Sequence, residues 1–113
     1  MKLDYQVIVH TKIAGFTYCE GPLVFNKLSI GTLLTLVREE DNKHDYNAIA
    51  LYFGESKIGF VPASDNEILA ILFDLGYKKA IRCFINQINK EVHPEQQIGI
   101  VIQLMNAESL IDK

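Results

Sequence analysis

The chain has 113 residues, 49% of them hydrophobic and 22% charged. This fits one globular domain over 1–113 and excludes disordered, collagenous and low-complexity readings. Eleven Lys+Arg against fourteen Asp+Glu leave a formal net charge of −3, so the chain does not coat duplex DNA by bulk positive charge, and any nucleic-acid role has to be local.

Tyr5-Gln6-Val7-Ile8-Val9-His10 alternates and predicts a strand over 4–10. Apolar runs rich in strand formers predict strands over 33–38 and 48–53. After a turn at Gly54-Glu55-Ser56, a strand over 57–61 returns as a hairpin partner, and Pro62 closes it because proline has no N–H for the ladder. The period then changes. Ser64-Asp65-Asn66-Glu67 has the form of a capping box with Ser64 at the N-cap. Ile68, Leu69, Ile71, Leu72 and Leu75 follow at helical spacing, which predicts a helix over 65–75 with this stripe in the core. Gly76 is placed to end it. Strands over 80–86 and 98–104 flank a polar loop, Asn89–Glu95. Six short strands predict a mainly β fold: a small OB-like or SH3-like barrel with one or two inserted helices, since closure removes exposed edges.

The usual chemical signatures are missing. Cys19 and Cys83 lack Cys-x-x-Cys spacing, which favours reduced thiols over a disulfide scaffold. His10, His44 and His93 are isolated from one another and from the cysteines, so no zinc site is expected. Asp41–Asn47 fails as a calcium loop, with Lys43 at a ligand position and Tyr46 in place of the turn glycine. No P-loop or dinucleotide fingerprint occurs. A Cys19–His44 nucleophile pair is the remaining enzymatic option, and buried structural cysteine is the commoner role. The expectation is a protein without catalysis, cofactor or metal. No run of about 18 apolar residues exists to span a bilayer. Met1-Lys2-Leu3-Asp4-Tyr5 lacks the apolar core of a signal peptide, so the expected location is cytoplasmic.

Arg38–Ile49 is the densest polar stretch, set between two apolar strands. Asp45 and Asn47 suit Asx-type bonds that hold a loop together. Alternatively, the loop presents amide and carboxylate acceptors to a ligand, since binding residues concentrate on loops over rigid scaffolds. Gly15-Phe16-Thr17-Tyr18, Gly21, the string Leu36-Val37-Arg38-Glu39-x-x-Asn42-x-x-Asp45-x-Asn47-Ala48-Ile49, and Ile58-Gly59-Phe60-Val61-Pro62 resemble the HIRAN domain. The similarity runs from about Val9 to about Leu104. HIRAN domains occur at the N-terminus of SWI/SNF-type DNA-repair helicases and as free-standing bacterial proteins; with no helicase motor motifs present, the resemblance is to the free-standing form.

The resemblance implies an OB-like barrel that binds the 3′ end of single-stranded DNA, with a pocket for the free hydroxyl and aromatic stacking on terminal bases. Carried onto this chain, Asn42 and Asp45 match the polar groups that engage the end nucleotide. Tyr18 matches a stacking tyrosine, and Phe60 lies on the strand bordering the groove. A carboxylate takes a hydroxyl hydrogen and repels a terminal phosphate. Three positions depart from the DNA-end-binding pattern: Thr17 stands in place of an arginine, His44 in place of a second stacking tyrosine, and Ala63 near the place of a lysine. Lys12, Arg38 and Lys57 are the cations available as substitutes. The implied DNA-binding set is therefore Thr17, Tyr18, Asn42, His44, Asp45 and Phe60, and the implied partner is a single-stranded DNA 3′ end, with a DNA-processing protein as a further candidate and no membrane. The alternative is a protein-interaction or structural module on the same fold, without the DNA-end pocket.

Overall fold

Strand formation follows the alternation of the sequence. In β2 (Leu33–Arg38), Leu34 and Leu36 are buried while Leu33, Thr35 and Val37 face outward, the period of a half-buried strand. The computed structural model describes residues 4–106; Met1–Leu3, read above as part of an N-terminus without a signal peptide, lie outside them. The other strands are β1 (Tyr5–Lys12), β3 (Ile49–Phe53), β4 (Ser56–Phe60), β5 (Ile81–Ile88) and β6 (Ile98–Met105). All six pair antiparallel in one sheet, in the order β1-β6-β5-β2-β3-β4. β6 is buried along Ile98–Gln103 because β1 and β5 flank it and the core covers it. Asn106 N–H donates to Asp4 O at 2.7 Å, beyond the start of β1 and the end of β6.

Ile13, Phe16, Ile49, Leu51, Ile85 and Ile100 lie at the centre of the core, each nearly without exposure. A fully buried side chain of this size contributes about 1.5–3 kcal/mol. Two α-helices, α1 (Gly21–Val24) and α2 (Glu67–Asp74), lie outside the ladders, with single 3-10 turns over 16–18, 25–27, 78–80 and 94–96. Sequence reading missed α1, which is one turn long and started by Pro22.

The sheet is not a closed barrel. Its end strands meet through one isolated bridge, where Ala14 N–H donates to Phe60 O and Phe60 N–H to Ala14 O, at 2.9 and 2.8 Å. Gly59 permits this close crossing: its φ is +149°, and a Cβ there would meet Ala14 O at 2.5 Å and the Ile13 Cγ2 methyl. Pairing cannot extend beyond the bridge because Pro62 follows and has no N–H.

Two readings of α2 are corrected. Its N-cap is Asn66, without a side-chain cap bond, and Ser64 Oγ instead donates to an Asp65 carboxylate oxygen at 3.3 Å; the Pro62–Asp65 turn holds Ser64 before the helix begins. The apolar stripe is also not wholly core. Leu69 is buried, but Ile68, Ile71 and Leu75 are 50%, 47% and 68% exposed, because the short helix lies on the rim and only its Leu69–Ala70 side reaches the interior. The C-terminal reading holds. Gly76, at φ +93°, donates to Phe73 O, and Tyr77 N–H reaches back to Leu72 O, the bond pattern of a Schellman motif.

Candidate functional site

The polar loop over 39–48 is held from within. Asn42 Oδ1 accepts the N–H groups of His44 and Asp45, at 2.8 and 3.1 Å, and its Nδ2 donates to Glu39 Oε1 at 3.0 Å. Asp45 Oδ1 accepts Asn47 N–H at 2.9 Å, the Asx-type bond the sequence suggests. Asp45 Oδ2 accepts from Asn66 Nδ2 at 2.8 Å. Asn66 is 1% exposed, so a buried amide at the head of α2 fixes the carboxylate. At the loop base, Arg38 bonds Asp74 through Nε at 3.1 Å and reaches Ala48 O through Nη1 at 3.3 Å. Arg38 thus pairs across to α2.

Glu39 extends the network to β4. Its Oε2 accepts from Lys57 Nζ at 2.7 Å, and the Lys57 ammonium lies 4.4 Å from the centre of the Phe60 ring. Burial pushes the Glu39 carboxyl up, but the bonds from Lys57 and Asn42 outweigh it and hold its pKa below the ordinary 4.5.

These elements enclose a surface cleft of about 230 Å³. Asn42, His44 and Asp45 form its polar wall, and Ala14, Phe60 and Ala63 contribute apolar surface. Four of the six sequence-proposed residues, Asn42, His44, Asp45 and Phe60, therefore meet in one place although they come from a loop and a separate strand. His44 is exposed, and its ring makes no hydrogen bond among the described residues. Phe60 is half-buried between core and cleft.

Thr17 and Tyr18 are not among the lining residues. They lie on the 3-10 turn that follows Ala14, and Tyr18 is 89% exposed. Thr17 is engaged by Glu95, whose carboxylate accepts the Thr17 hydroxyl, Thr17 N–H at 2.8 Å and Phe16 N–H at 3.1 Å. Burial raises the Glu95 carboxyl, and the donors of Thr17, Phe16 and Gly15 more than offset it, so its pKa sits below 4.5. The sequence places Glu95 at the end of a polar loop; its partners lie 78 and 79 positions away, and no local pattern announces them.

The candidate substitute cations are engaged as well: Lys12 Nζ donates to Gln87 Oε1 at 2.6 Å, and Arg38 and Lys57 hold Asp74 and Glu39. Both cysteines are free thiols. Burial raises Cys19, the reverse of what a nucleophile needs. Among the described residues no group of three or more His, Cys, Asp or Glu is gathered to hold a metal, and no helix is long and apolar enough to cross a membrane.

Among solved structures, this fold is similar to the crystal structure of a protein from Lactobacillus plantarum, with a TM-score of 0.76 at 19% identity. The likeness covers 90% of this chain and 96% of that one, and it speaks for the fold alone. No curated protein matches the chain. The HIRAN domain matches over residues 7–105, and that family is associated with DNA binding. A match of this extent takes in the 39–48 loop, β4 and all but the first residues of β1: the chain belongs to the HIRAN domain family.

Proposed function

We propose that the chain is a non-catalytic module that binds single-stranded DNA at a free 3′-hydroxyl end, in the cleft between the 39–48 loop and β4. The observation that carries this reading is the meeting of Asn42, His44, Asp45 and Phe60 on one cleft. A terminal base stacks on the His44 or Phe60 ring, a contact that tolerates any sequence. The Asp45 carboxylate takes the 3′-hydroxyl hydrogen. Each of its oxygens already accepts one protein bond, and a carboxylate has about four acceptor sites, so capacity for the hydroxyl remains. Tyr18, exposed on the turn after Ala14, stacks on a preceding base. The ligand is held and released without bond breaking.

Fluorescence anisotropy with short oligonucleotides ending in 3′-hydroxyl or 3′-phosphate tests this. A 3′-phosphate removes the donor and sets negative charge against Asp45, so it should bind about 10–100-fold more weakly, the equivalent of a charged hydrogen bond. Asp45→Asn keeps the size of the side chain and should narrow that gap. Tyr18→Ala and His44→Ala should weaken both ends alike, because stacking does not sense the terminus. Equal affinity of the wild type for both ends would overturn end recognition.

A further inference from the structure

β1 lies at one end of the sheet and pairs only with β6. Just past it, Ile13 N–H donates to Ile98 O on the β6 side, whereas Ala14 exchanges both its bonds with Phe60 on the other side. Backbone groups alternate in direction along a strand, so Lys12 and His10, like Ala14, turn theirs away from β6. The next antiparallel pair after Ala14–Phe60 would set Lys12 against Pro62. Pro62 has no N–H to offer, and its carbonyl already accepts Asp65 N–H at 2.9 Å. The ladder stops there. Among the described residues the outer edge of β1 has no backbone partner.

In place of a strand, the start of α2 stands beside that edge. The gap is a cleft of about 360 Å³, lined by Asp65, Glu67, Ile68 and Ile71 and, on β1, by Ile8 and Val9 at the β-bulge that precedes the outward-facing backbone of His10. It shares no lining residue with the cleft at Asn42 and Asp45. Ile68 and Ile71 are half exposed, and Asp65 and Glu67 have no cationic partner among the described residues.

We infer that this cleft is a docking site for an extended peptide segment of a partner protein. The segment adds a strand to the outer edge of β1, seats apolar side chains on Ile68 and Ile71, and sets a lysine or arginine against Asp65 and Glu67. Each requirement comes from a different feature. Unpaired edge amides and carbonyls demand an extended main chain, the two isoleucines demand apolar side chains at alternate positions, and the acidic pair demands a cation. A second folded copy is a poor occupant: offering its own β1 would bring its own α2 against this one, because the same helix walls both edges. A single extended chain meets no such obstacle. The site stands independently of DNA binding.

A phage-displayed library of random seven-residue peptides, selected on the intact chain, tests the proposal. Enriched peptides should alternate apolar and polar residues and carry a lysine or arginine. As fluorescein-labelled synthetic peptides, they should bind Ile71→Asp and Glu67→Lys about tenfold more weakly than wild type. Both positions are exposed, and an unchanged thermal midpoint checks that the variants fold. Methylating alternate peptide amide nitrogens should abolish binding in one register and spare it in the other. Absence of enrichment, apolar spacing of three and four, equal binding to the two variants, or a wild-type dimer that Ile71→Asp dissociates would each overturn the proposal.

Discussion

Asp45 and Asn42 show how a side chain serves structure and candidate function at once. Their bonds shape the loop that presents them, so alanine at either position would disturb the loop along with any ligand contact, and Asp45→Asn is the cleaner variant. Glu95 gives a sharper case. Its carboxyl is held below 4.5 by the donors of the 15–17 turn and returns towards that value on unfolding. The unfolded chain therefore binds this proton first as pH falls. The stabilisation is complete above the unfolded value and disappears as pH drops through the folded one. Glu95→Gln should lower stability at neutral pH and make the further loss below pH 4.5 shallower than in wild type, measured as urea midpoints across that range. Parallel acid limbs in the two proteins would refute the assignment. Glu39, lowered by Lys57 and Asn42 against its burial, adds to the same limb and accounts for the part that remains in the variant.

At the scale of elements, Ser64 and Asn66 separate two accounts of how α2 begins. In a capping box Ser64→Ala is costly; in the structure Ser64 bonds only Asp65, so this change should stay within about 0.5 kcal/mol. Asn66→Ala should instead cost about 1–3 kcal/mol, because it leaves Asp45 Oδ2 without its buried donor. Chemical denaturation of the two variants decides between them. The contrast also marks what the sequence makes legible. Strand positions, the end of β4 just before Pro62 and the Gly76 terminus of α2 follow from periodicity and local turn chemistry, which neighbouring residues specify. The N-cap identity, the exposure of Ile68 and Ile71, and the Glu95 clamp depend on partners distant in sequence. No local pattern encodes these. Most of the candidate cleft was legible because Asn42, His44 and Asp45 share one loop. The place of Tyr18 was not, because it depends on how the turn after β1 folds back.

Over the whole molecule the sheet divides into two halves. β1, β6 and β5 pair over seven residues at each ladder, as do β2, β3 and β4 over four, but the ladder between the halves is two pairs long, Leu33–Phe84 and Leu34–Cys83, continued by Gly31 and Thr32 bonds to Ile85, and on the far side the halves touch at the Ala14–Phe60 bridge. What joins them is the shared core rather than a long ladder. Cys83 sits on that seam without exposure, and burial pushes its thiol up to about 12. It is a built-in reporter of opening. Under native conditions iodoacetamide should modify Cys19 well before Cys83, and Cys83 modification should accelerate steeply in sub-denaturing urea. Equal rates in buffer would mean that the seam is not closed. The bond from Asn106 to Asp4 has a different consequence, a mechanical one. Both ends of the described chain leave the sheet side by side, so a host polypeptide accommodates the domain in a surface loop without being forced apart. Tension applied through the same two points loads that bond first and peels β1 from β6 one pair at a time, the low-resistance direction for an antiparallel ladder.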